Sequence, residues 1–362
     1  MHISIIRNQL KKQERLLNWR AMSTKKPVAK MSEEPFWDDL AGAYEQTLFH
    51  QLTSNFAPII AELAIPYTRS DQEIGEESES DGSFQVVDIG SGSTGIVAQK
   101  LMPRMRPTDH LIASDFSPKM VALLDSHMRH KEHHGTHKLH KNYQPIVSVK
   151  RAEEAEEASP DLLLNSKKNV RIDSKVNLST AILDAMALKL DGNSCDVVTS
   201  GFSAMFFQNQ LKAFSEMHRV LKPNHGRAVV AVWGNPVHQP AIQTFFKTLN
   251  QVDKDFPADT SANLNWSLSD AWLLKNTLKM AGFRNVDLLT LSVNFFPVDL
   301  THHLLSSHQM LSSFSEACVH TAQSRLPDSL LKSFSAKIRE NSSFLAENRL
   351  LTAEAHIAVA SK

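Results

Sequence analysis

The sequence predicts an α/β fold with a doubly wound, mostly parallel sheet, helices on both faces and a helical cap insertion. Two observations predict this fold. Apolar runs of strand length alternate with segments whose apolar residues have helical spacing, and the first of these runs ends in a glycine-rich turn that leads into a helix. Strands that alternate with helices are joined by crossover connections, which place neighbouring strands parallel.

Composition sets broad limits on the protein class. The chain has 362 residues, of which 42% are hydrophobic, enough for one large core or two modest ones. Lys+Arg and Asp+Glu both number 39, so no net charge attracts a polyanion, which argues against a nucleic-acid partner. Only Cys195 and Cys318 are present, which favours a reducing compartment. No apolar run of about 18 residues predicts a membrane span. Composition leaves the oligomeric state open.

The N-terminal residues 1–33 form a basic tail. Residues 1–30 hold eight Lys or Arg against the single acid Glu14, and several apolar residues share part of a helical face. This composition resembles a mitochondrial transit segment. A solvated tail on a cytoplasmic protein is the alternative, as is translation from Met22 or Met31. We therefore expect a mitochondrial or cytoplasmic location.

Residues 34–362 are predicted to form one domain that carries several insertions. Its first segment, 34–64, has helical spacing. The following loop, 71–83, carries six acids and no Lys or Arg, so we expect it to remain outside the core. Two cap segments, 235–265 and 295–350, come late in the chain, and the second is mostly helical in pattern.

The strands and helices of the sheet follow in order from residue 84. Residues 84–89 form the first expected strand, and a helix over 95–105 follows it. A second strand over 110–114 precedes a helix over 117–127, for which Ser117 is a suitable N-cap. The later strands are expected at 178–183, 195–200, 227–233, 286–291 and 353–360, with helices at 208–221 and 269–281, the last capped by Ser269.

A His/Glu-rich insertion, 128–176, interrupts this alternation. Five histidines precede four glutamates in it, which raises the alternative of a metal site. No cysteine accompanies the histidines and their spacing fits no zinc pattern. We therefore interpret the segment as a surface insertion, predict no metal, and note that 145–149 has the composition of a strand.

The turn after the first strand carries the chemistry. Gly90 and Gly92 allow a tight turn and a close approach to a ligand, while the next helix offers its N-terminal amides. Asp115, at the end of the second strand, can accept hydrogen bonds from both hydroxyls of a ribose. This pattern also fits a dinucleotide site, so an NAD(P)-dependent oxidoreductase is an alternative. Asp88 argues against it, because a carboxylate there would repel a pyrophosphate and attract an ammonium.

A series of segments resembles the class I S-adenosylmethionine-dependent methyltransferases, which have a Rossmann-like fold. The first is Asp-Ile-Gly-Ser-Gly, residues 88–92, similar to the cofactor loop. The others, in chain order, are 113–120, 184–188, 195–200, 216–223, 228–232, 281–283 and 355–362. Residues 199–202, Thr-Ser-Gly-Phe, depart from the motif of enzymes that methylate amino groups of nucleic-acid bases. The resemblance therefore implies a small-molecule acceptor.

The resemblance also implies a role for individual residues toward S-adenosylmethionine. Asp88, Gly90 and Gly92 would border the methionine portion, and Asp115 would hold the ribose. The remaining expected contacts are Phe116 against adenine, Asp184, Ala185 and Met186 around the adenine amino group, Ser200 and Gly201 near the reactive methyl, and Tyr44 over the sulfonium.

A catalytic base and the acceptor pocket are expected beyond the fifth strand. His238 is the candidate base, with an ordinary surface histidine as the alternative. The cap segments, with Trp37 and Tyr44, are expected to wall an apolar pocket beside residues 200–202. The apolar candidates are Trp233, Phe245, Phe246, Phe295, Phe296, Leu304, Leu305 and Phe314, each of which also reads as an ordinary core residue. A non-catalytic binding protein with this fold remains a third functional alternative.

Overall fold

A computed structural model describes most of the chain outside the N-terminal tail and the insertions. The described residues are 33–66, 84–133, 143–144, 148–151, 176–254, 266–294, 298–299, 306–323, 326–348 and 350–362. The basic tail up to residue 32, the acidic loop 71–83, most of the insertion 128–176 and part of both cap segments lie outside them. None of the described helices is both long enough and apolar enough to cross a bilayer.

The described residues form ten strands and ten α-helices, joined by turns and loops. The strands are β1 Gln85–Ile89, β2 His110–Asp115, β3 Tyr143–Gln144, β4 Ser148–Arg151, β5 Asn177–Ile182, β6 Val197–Gly201, β7 Arg227–Trp233, β8 Arg284–Asn294, β9 Val298–Asp299 and β10 Thr352–Ser361. The helices are α1 Glu34–Leu40, α2 Leu48–Ser54, α3 Ala57–Ala64, α4 Ile96–Leu101, α5 Pro118–His133, α6 Gln210–Val220, α7 Pro240–Val252, α8 Ala271–Met280, α9 Ser307–Gln323 and α10 Asp328–Glu347.

The main sheet has eight strands in the order β4-β8-β10-β7-β6-β1-β2-β5. The five strands from β7 to β5 are parallel, whereas β10 is antiparallel to both of its neighbours. This topology confirms the predicted doubly wound α/β fold. The central strands are apolar on both sides because helices cover both faces, as the nearly continuous burial of β1, β6 and β7 shows.

The strand order reverses between β1 and β6, and this reversal locates the candidate site. The chain moves outward from β1 to β2 and β5, then returns to place β6 on the other side of β1. Connections diverge at such a point and leave a crevice beyond the carboxyl ends of the strands. Asp115, Gly201 and Trp233 are the last residues of β2, β6 and β7, so they lie along this edge, which we call the carboxyl edge.

The helices of the second cap segment pack on the N-terminal helices and on α7. Thr321 on α9 accepts a hydrogen bond from the backbone N–H of Leu48, at 2.8 Å. The Phe245 ring on α7 contacts the ring of Phe49 and that of Phe334 on α10, at centroid distances of 6.2 and 5.8 Å. This layer is stabilised by apolar burial, since most of its aromatic rings are inaccessible to water.

Four of the apolar residues expected to wall a pocket are core residues. Trp233, Phe245, Phe246 and Phe314 are all buried, and the structure therefore bears out the ordinary reading for each of them. Phe295, Phe296, Leu304 and Leu305 lie outside the described residues.

Several helix boundaries differ from the sequence-based expectation, and α4, for example, ends at Leu101 and not at residue 105. Ser269 does not cap α8, because the carboxylate of Asp270 accepts the N–H groups of Trp272 and Leu273 at 2.8 and 3.2 Å. An aspartate next to a serine offers a second, charged acceptor, which interacts more favourably with a helix N-terminus. Helix α5 continues to His133, beyond the expected end at residue 127. Ser117 does cap α5, through its hydroxyl and the N–H of Met120.

Candidate functional site

The loop after β1 is built from glycines in a left-handed conformation. Gly90, Gly92 and Gly95 have φ angles of 70°, 66° and 60°. An L-residue with a Cβ atom would be destabilised at such angles. At Gly90 the restriction is also steric, because an added Cβ would lie 2.3 Å from the Cβ of Ser203. The loop and the segment after β6 therefore touch at this residue.

Hydroxyl groups join the ends of β1 and β6. Ser203 donates to the carbonyl oxygen of Ile89 at 2.8 Å, and its oxygen lies 2.7 Å from that of Ser200. Because the Ser203 proton is used for Ile89, Ser200 donates to Ser203. Ser200 itself is fully buried. Gly201 is also constrained, since an added Cβ would lie 2.8 Å from a methyl group of Val97.

Asp88 is a buried carboxylate that binds two hydroxyl groups. Thr199 on β6 and Ser91 in the loop each donate to it, both at 2.6 Å. Only 1% of the residue is exposed. Burial raises the pKa of Asp88 to about 6, against the two hydroxyl hydrogen bonds, which lower it. The nearby charge of Asp115 raises it further.

Asp115 closes the loop from the neighbouring strand. Its carboxylate accepts the N–H of Gly92 at 3.1 Å and the N–H of Ser117 at 3.0 Å. Burial also raises the pKa of Asp115 to about 6. Helix α1 reaches the same region, where the Asp38 carboxylate accepts from the Ser117 hydroxyl at 2.5 Å and from the Lys119 N–H at 3.2 Å.

The N-terminal helices place two rings beside the glycine loop. The Tyr44 ring lies 3.5 Å from the point where a Cβ on Gly92 would stand. Burial raises the pKa of Tyr44 to about 12, so its phenol stays neutral. His50 lies against Tyr44 at a centroid distance of 5.3 Å, and its Nε2 is 2.9 Å from the hydroxyl of Thr94. Burial lowers the pKa of His50.

These groups surround a pocket at the reversal of strand order. Five of the residues expected to bind the cofactor line it, namely Tyr44, Asp88, Gly90, Gly92 and Gly201. The sequence did not single out the other lining residues, which are Thr53, Ser91, Thr94, Ile96 and Val97. Asp88 is the only charged residue among all of these, and none of them is basic.

The expected adenine-binding residues lie at the neighbouring strand ends. Asp115 pairs with the last residue of β5, and its carbonyl oxygen accepts the N–H of Leu183 at 3.0 Å. Asp184 is exposed and accepts the N–H of Met186 at 2.8 Å, which shapes the turn. Ala185 is buried. Phe116, directly after β2, is half-buried. Their predicted contacts with adenine stay predictions.

The residue after β6 has a strained backbone. Phe202 has a φ of 59°, which is rare for a bulky residue and costs free energy. Its N–H donates to the carbonyl of Ala231, and its ring packs on Trp233 at a centroid distance of 4.4 Å and on Phe56 at 5.2 Å. The strained turn sends the chain sharply from β6 toward Ser203, the residue that touches Gly90.

His238, the expected base, has a carboxylate partner that no local pattern in the sequence indicates. Its Nδ1 lies 3.0 Å from Oε2 and 3.2 Å from Oε1 of Glu354 on β10. The two residues are 116 positions apart. Glu354 is only 8% exposed, whereas 57% of the His238 side chain is accessible.

Sequence reasoning missed the residues that hold the site together. Ser91 and Thr199 lie within segments that resemble methyltransferase motifs, so a search for hydroxyl partners of Asp88 could have found them. Asp38, Ser203 and Glu354 have no local signal, because each acts on a residue distant in sequence. Among the described residues, no three His, Cys, Asp or Glu side chains come together as metal ligands. The histidine cluster from His130 to His140 has no described side chains.

Comparison with known proteins points to methyltransferases. The family model described as "Methyltransferase domain" matches residues 152–230. A demethylmenaquinone methyltransferase of Staphylococcus carnosus (strain TM300) is 33% identical over 113 residues, which are 29% of this chain and 46% of that protein. Its counterpart in Lactococcus lactis subsp. lactis (strain IL1403) is 28% identical over 138 residues, 36% of this chain and 54% of that protein. The resemblance to the class I methyltransferases is confirmed over these segments.

The matches cover part of the molecules compared. The chain spans about half the length of the curated relatives it matches. Among solved structures, Haemonchus contortus phosphoethanolamine N-methyltransferase 2 with S-adenosyl-L-methionine has a TM-score of 0.43 at 14% identity, over 90% of this chain and 60% of that one. The [4+2]-cyclase SpnF has a TM-score of 0.46 at 13% identity, over 93% and 99%.

Replacing Gly90 tests the contact between the loop and Ser203. Gly90→Ala adds about 1–2 kcal/mol of left-handed backbone strain and about 1–3 kcal/mol of overpacking against Ser203. We expect urea denaturation to show this loss in the free energy of unfolding. Gly42→Ala is the matched control, because no atom lies within 4 Å of its added Cβ. Equal stability of the two variants would contradict the assigned contact.

The buried carboxylate of Asp88 predicts a pH-dependent stability. A pKa of about 6 in the folded protein lies above the ordinary value of 3.8. The contribution of Asp88 is therefore most favourable below pH 4 and is lost as the pH rises through about 6. The amide of Asp88→Asn can still bond both hydroxyls. The free energy of unfolding of this variant should therefore rise relative to that of the wild type by roughly 2–3 kcal/mol between pH 4 and pH 7. Urea denaturation across this range measures the difference.

The matched control for this series is Asp191→Asn, an exposed aspartate on the amino side of β6. If the difference in unfolding free energy between Asp88→Asn and the wild type does not change with pH, burial of the Asp88 charge does not destabilise the folded protein.

Proposed function

We propose that this chain is an S-adenosylmethionine-dependent methyltransferase that acts on a small, hydrophobic acceptor. The observation that carries the proposal is the charge of the pocket, which has one acidic side chain and no basic one. A sulfonium and an ammonium are attracted by such a site, whereas the pyrophosphate of NAD(P) would meet a carboxylate with no basic side chain beside it in the pocket. The match to a methyltransferase domain supports the same assignment.

The residues at the pocket fit this cofactor. A carboxylate has about four lone-pair positions, and Asp115 interacts with the backbone N–H groups of Gly92, Ser117 and Phe116. Its remaining acceptor capacity suits a ribose hydroxyl. Asp88, Gly90 and Gly92 would border the methionine portion, and the neutral ring of Tyr44 would face the sulfonium, an attraction known for aromatic faces and cations.

The neighbouring residues extend the proposed site. Phe116, at the end of β2, offers an apolar face for adenine, and Asp184, Ala185 and Met186 lie at the end of β5 beside it. The Ser200 hydroxyl donates to Ser203, which in turn donates to the carbonyl oxygen of Ile89 just before the loop. Gly201 lines the pocket, so we place it near the group that is transferred.

The cofactor supplies an activated methyl group, so the protein's main task is alignment. In-line displacement from a sulfonium gains most from bringing the reactants together in the right geometry. The glycine loop, held by Asp115 and Ser203, provides a rigid surface for one reactant. Tyr44 and the N-terminal helices restrict access of water to it.

A hydrophobic acceptor is favoured by the surface around the carboxyl edge. Three of the large apolar side chains that the described residues expose adjoin the strand ends of this edge. Ile182 is the last residue of β5, Val237 follows β7, and Leu350 precedes the antiparallel β10. Exposed apolar side chains gathered on one side of a molecule favour an apolar ligand or surface there. The Staphylococcus and Lactococcus relatives are named for demethylmenaquinone, a molecule of this chemical kind.

Cofactor binding is the first test of this proposal. Asp115→Ala should weaken S-adenosylmethionine binding by about ten- to a hundredfold, because it removes hydrogen bonds to a charged acceptor worth about 1.5–3 kcal/mol. Isothermal titration calorimetry measures the affinity, with Asp191→Ala as a control distant from the pocket. Binding of NAD without S-adenosylmethionine would favour the oxidoreductase, and binding of neither would favour a non-catalytic protein.

The chemical nature of the acceptor can be tested without knowing its identity. Purified protein is incubated with methyl-labelled S-adenosylmethionine and a small-molecule extract, which is then divided between water and an organic solvent. We expect the enzyme-dependent label in the organic phase, since the edge around the pocket is apolar. Label that remains in water, or that enters added protein or nucleic acid, contradicts a hydrophobic small-molecule acceptor. The Asp115→Ala variant supplies the background.

A further inference from the structure

We propose that His238 and Glu354 form a general-base dyad that takes the proton from a hydroxyl group of the acceptor. This inference rests on the methyl transfer proposed above and specifies its acceptor as a hydroxyl-bearing molecule. Neither residue lines the pocket beside the glycine loop, so the dyad would serve the acceptor and not the cofactor.

The loop after β7 is built around the carboxylate of Glu354. The backbone N–H of Asn235 donates to Glu354 Oε1 at 3.1 Å. Gln239, which is fully buried, donates its amide to the carbonyl of Glu354 at 2.6 Å and accepts the N–H of Glu354 at 3.0 Å. An added Cβ on Gly234 would lie 2.5 Å from Oε1, so this residue has to be small. Glu354 is therefore fixed in position before it meets His238.

A fixed carboxylate sets the protonation of the imidazole. Glu354 lies against Nδ1 of His238 with both oxygens within 3.2 Å. A carboxylate acceptor keeps the proton of a neutral histidine on Nδ1, which leaves Nε2 unprotonated and basic. Because more than half of the His238 side chain is exposed, Nε2 can meet a molecule that arrives from solvent. A buried acid that orients a histidine is the arrangement used in acid–base catalysis.

The dyad lies on the side of the sheet where an acceptor would bind. His238 follows β7, and β7 is hydrogen-bonded to β6, whose last residue lines the pocket. Glu354 is near the start of β10, which is antiparallel, so it also lies at the carboxyl edge. Val237, next to His238 in sequence, is one of the exposed apolar residues of this edge.

Hydroxyl acceptors gain most from such a base. A phenol has a pKa of about 10, so it is almost fully protonated at neutral pH, whereas a histidine ordinarily titrates near 6.5. In the proposed step the hydroxyl proton passes to Nε2 of His238 as the oxygen forms a bond to the methyl carbon. The carbon–sulfur bond breaks with its electron pair on sulfur, which leaves a neutral thioether. Glu354 balances the charge of the imidazolium until His238 releases the proton to water.

His356 is a further ionisable side chain that interacts electrostatically with the dyad. The charges of Glu354, His238 and Asp270 all affect the pKa of His356, which lies on β10. Its own ring is held between the hydroxyl of Thr290 at 2.8 Å and the carbonyl of Ser269 at 3.0 Å. Burial lowers the pKa of His356, so it stays neutral while His238 exchanges protons.

The tautomer of His238 tests the dyad without any acceptor. Long-range ¹H–¹⁵N NMR spectra of the full chain distinguish the two neutral tautomers, and His238→Asn identifies the resonances. We expect the proton on Nδ1 in the wild type and a change of tautomer in Glu354→Gln. Glutamine can still accept from the Asn235 N–H, so the loop should remain folded. A wild-type ring protonated on Nε2, or an unchanged spectrum in Glu354→Gln, overturns the proposal.

The kinetics of methyl transfer test the catalytic role. With the organic-soluble product as readout, His238→Asn should lower kcat/KM by about a hundred- to ten-thousandfold. Glu354→Gln should lower kcat with little change in the KM for the acceptor, because the imidazole is no longer held with Nε2 as its free base. A purely structural role for Glu354 would raise KM as well.

A matched histidine at the other end of the sheet controls for surface effects. His225 also lies near an acid, with Nε2 3.6 Å from Oδ1 of Asp196, but it precedes β7 and is therefore on the amino side. His225→Asn should leave kcat/KM unchanged. Activity that survives in His238→Asn with an unchanged pH profile overturns the dyad while leaving the proposed methyl transfer intact.

The bond formed to the methyl group tests the acceptor class separately. Hydriodic acid releases a methyl group from oxygen as volatile methyl iodide and does not cleave a methyl group from carbon. We expect the labelled product to yield volatile label. Label retained on the product means transfer to carbon or nitrogen and overturns the hydroxyl assignment, without contradicting the methyltransferase itself.

Discussion

Two carboxylates buried at the ends of adjacent strands, Asp88 and Asp115, are the constraint on which the site depends. Burial raises the pKa of both carboxyl groups, and the charge of Asp115 raises that of Asp88 further, so the folded protein holds charge where it is unfavourable. Hydroxyl groups and backbone N–H groups compensate them, and those donors come from β6, the glycine loop and the start of α5. The conformation of the loop thus follows from the need to satisfy these acids. Perturbed groups of this kind concentrate where a protein binds or reacts.

The same acids explain why the N-terminal helices belong to the site. Asp38 on α1 shares the Ser117 hydroxyl at the start of α5, and His50 on α2 reaches Thr94 in the loop. Thr321 on α9 in turn holds the first turn of α2. Segments from both ends of the chain therefore meet over the carboxyl edge. A change in α1 or α9 would reach the pocket through these contacts, although neither helix belongs to the sheet.

The carboxyl edge combines two surfaces of different chemistry. Around the reversal of strand order it is polar and acidic, as suits a cationic sulfonium compound. Toward β7, β10 and the helices beside them it carries exposed apolar side chains and the His238–Glu354 pair. A transfer reaction needs both, because one reactant must be held in a fixed polar cradle while the other is admitted, oriented and deprotonated. The edge thus separates donor and acceptor along the row of strand ends.

The strands, the helices and the glycine loop leave a local pattern in the sequence, whereas the contacts that hold the site together depend on the folded chain. Burial of β1, β6 and β7 on both faces appears as continuous apolar runs, and the need for left-handed φ angles appears as Gly90 and Gly92. Both are local requirements, so they leave a local pattern. The cap of α8 fell on Asp270 instead of Ser269 because adjacent residues compete for the same N–H groups. Pairing of Gly90 with Ser203, of Ser117 with Asp38 and of His238 with Glu354 joins residues about 80 to 116 positions apart. Such contacts depend on which strand ends meet in space, and no spacing along the chain records that.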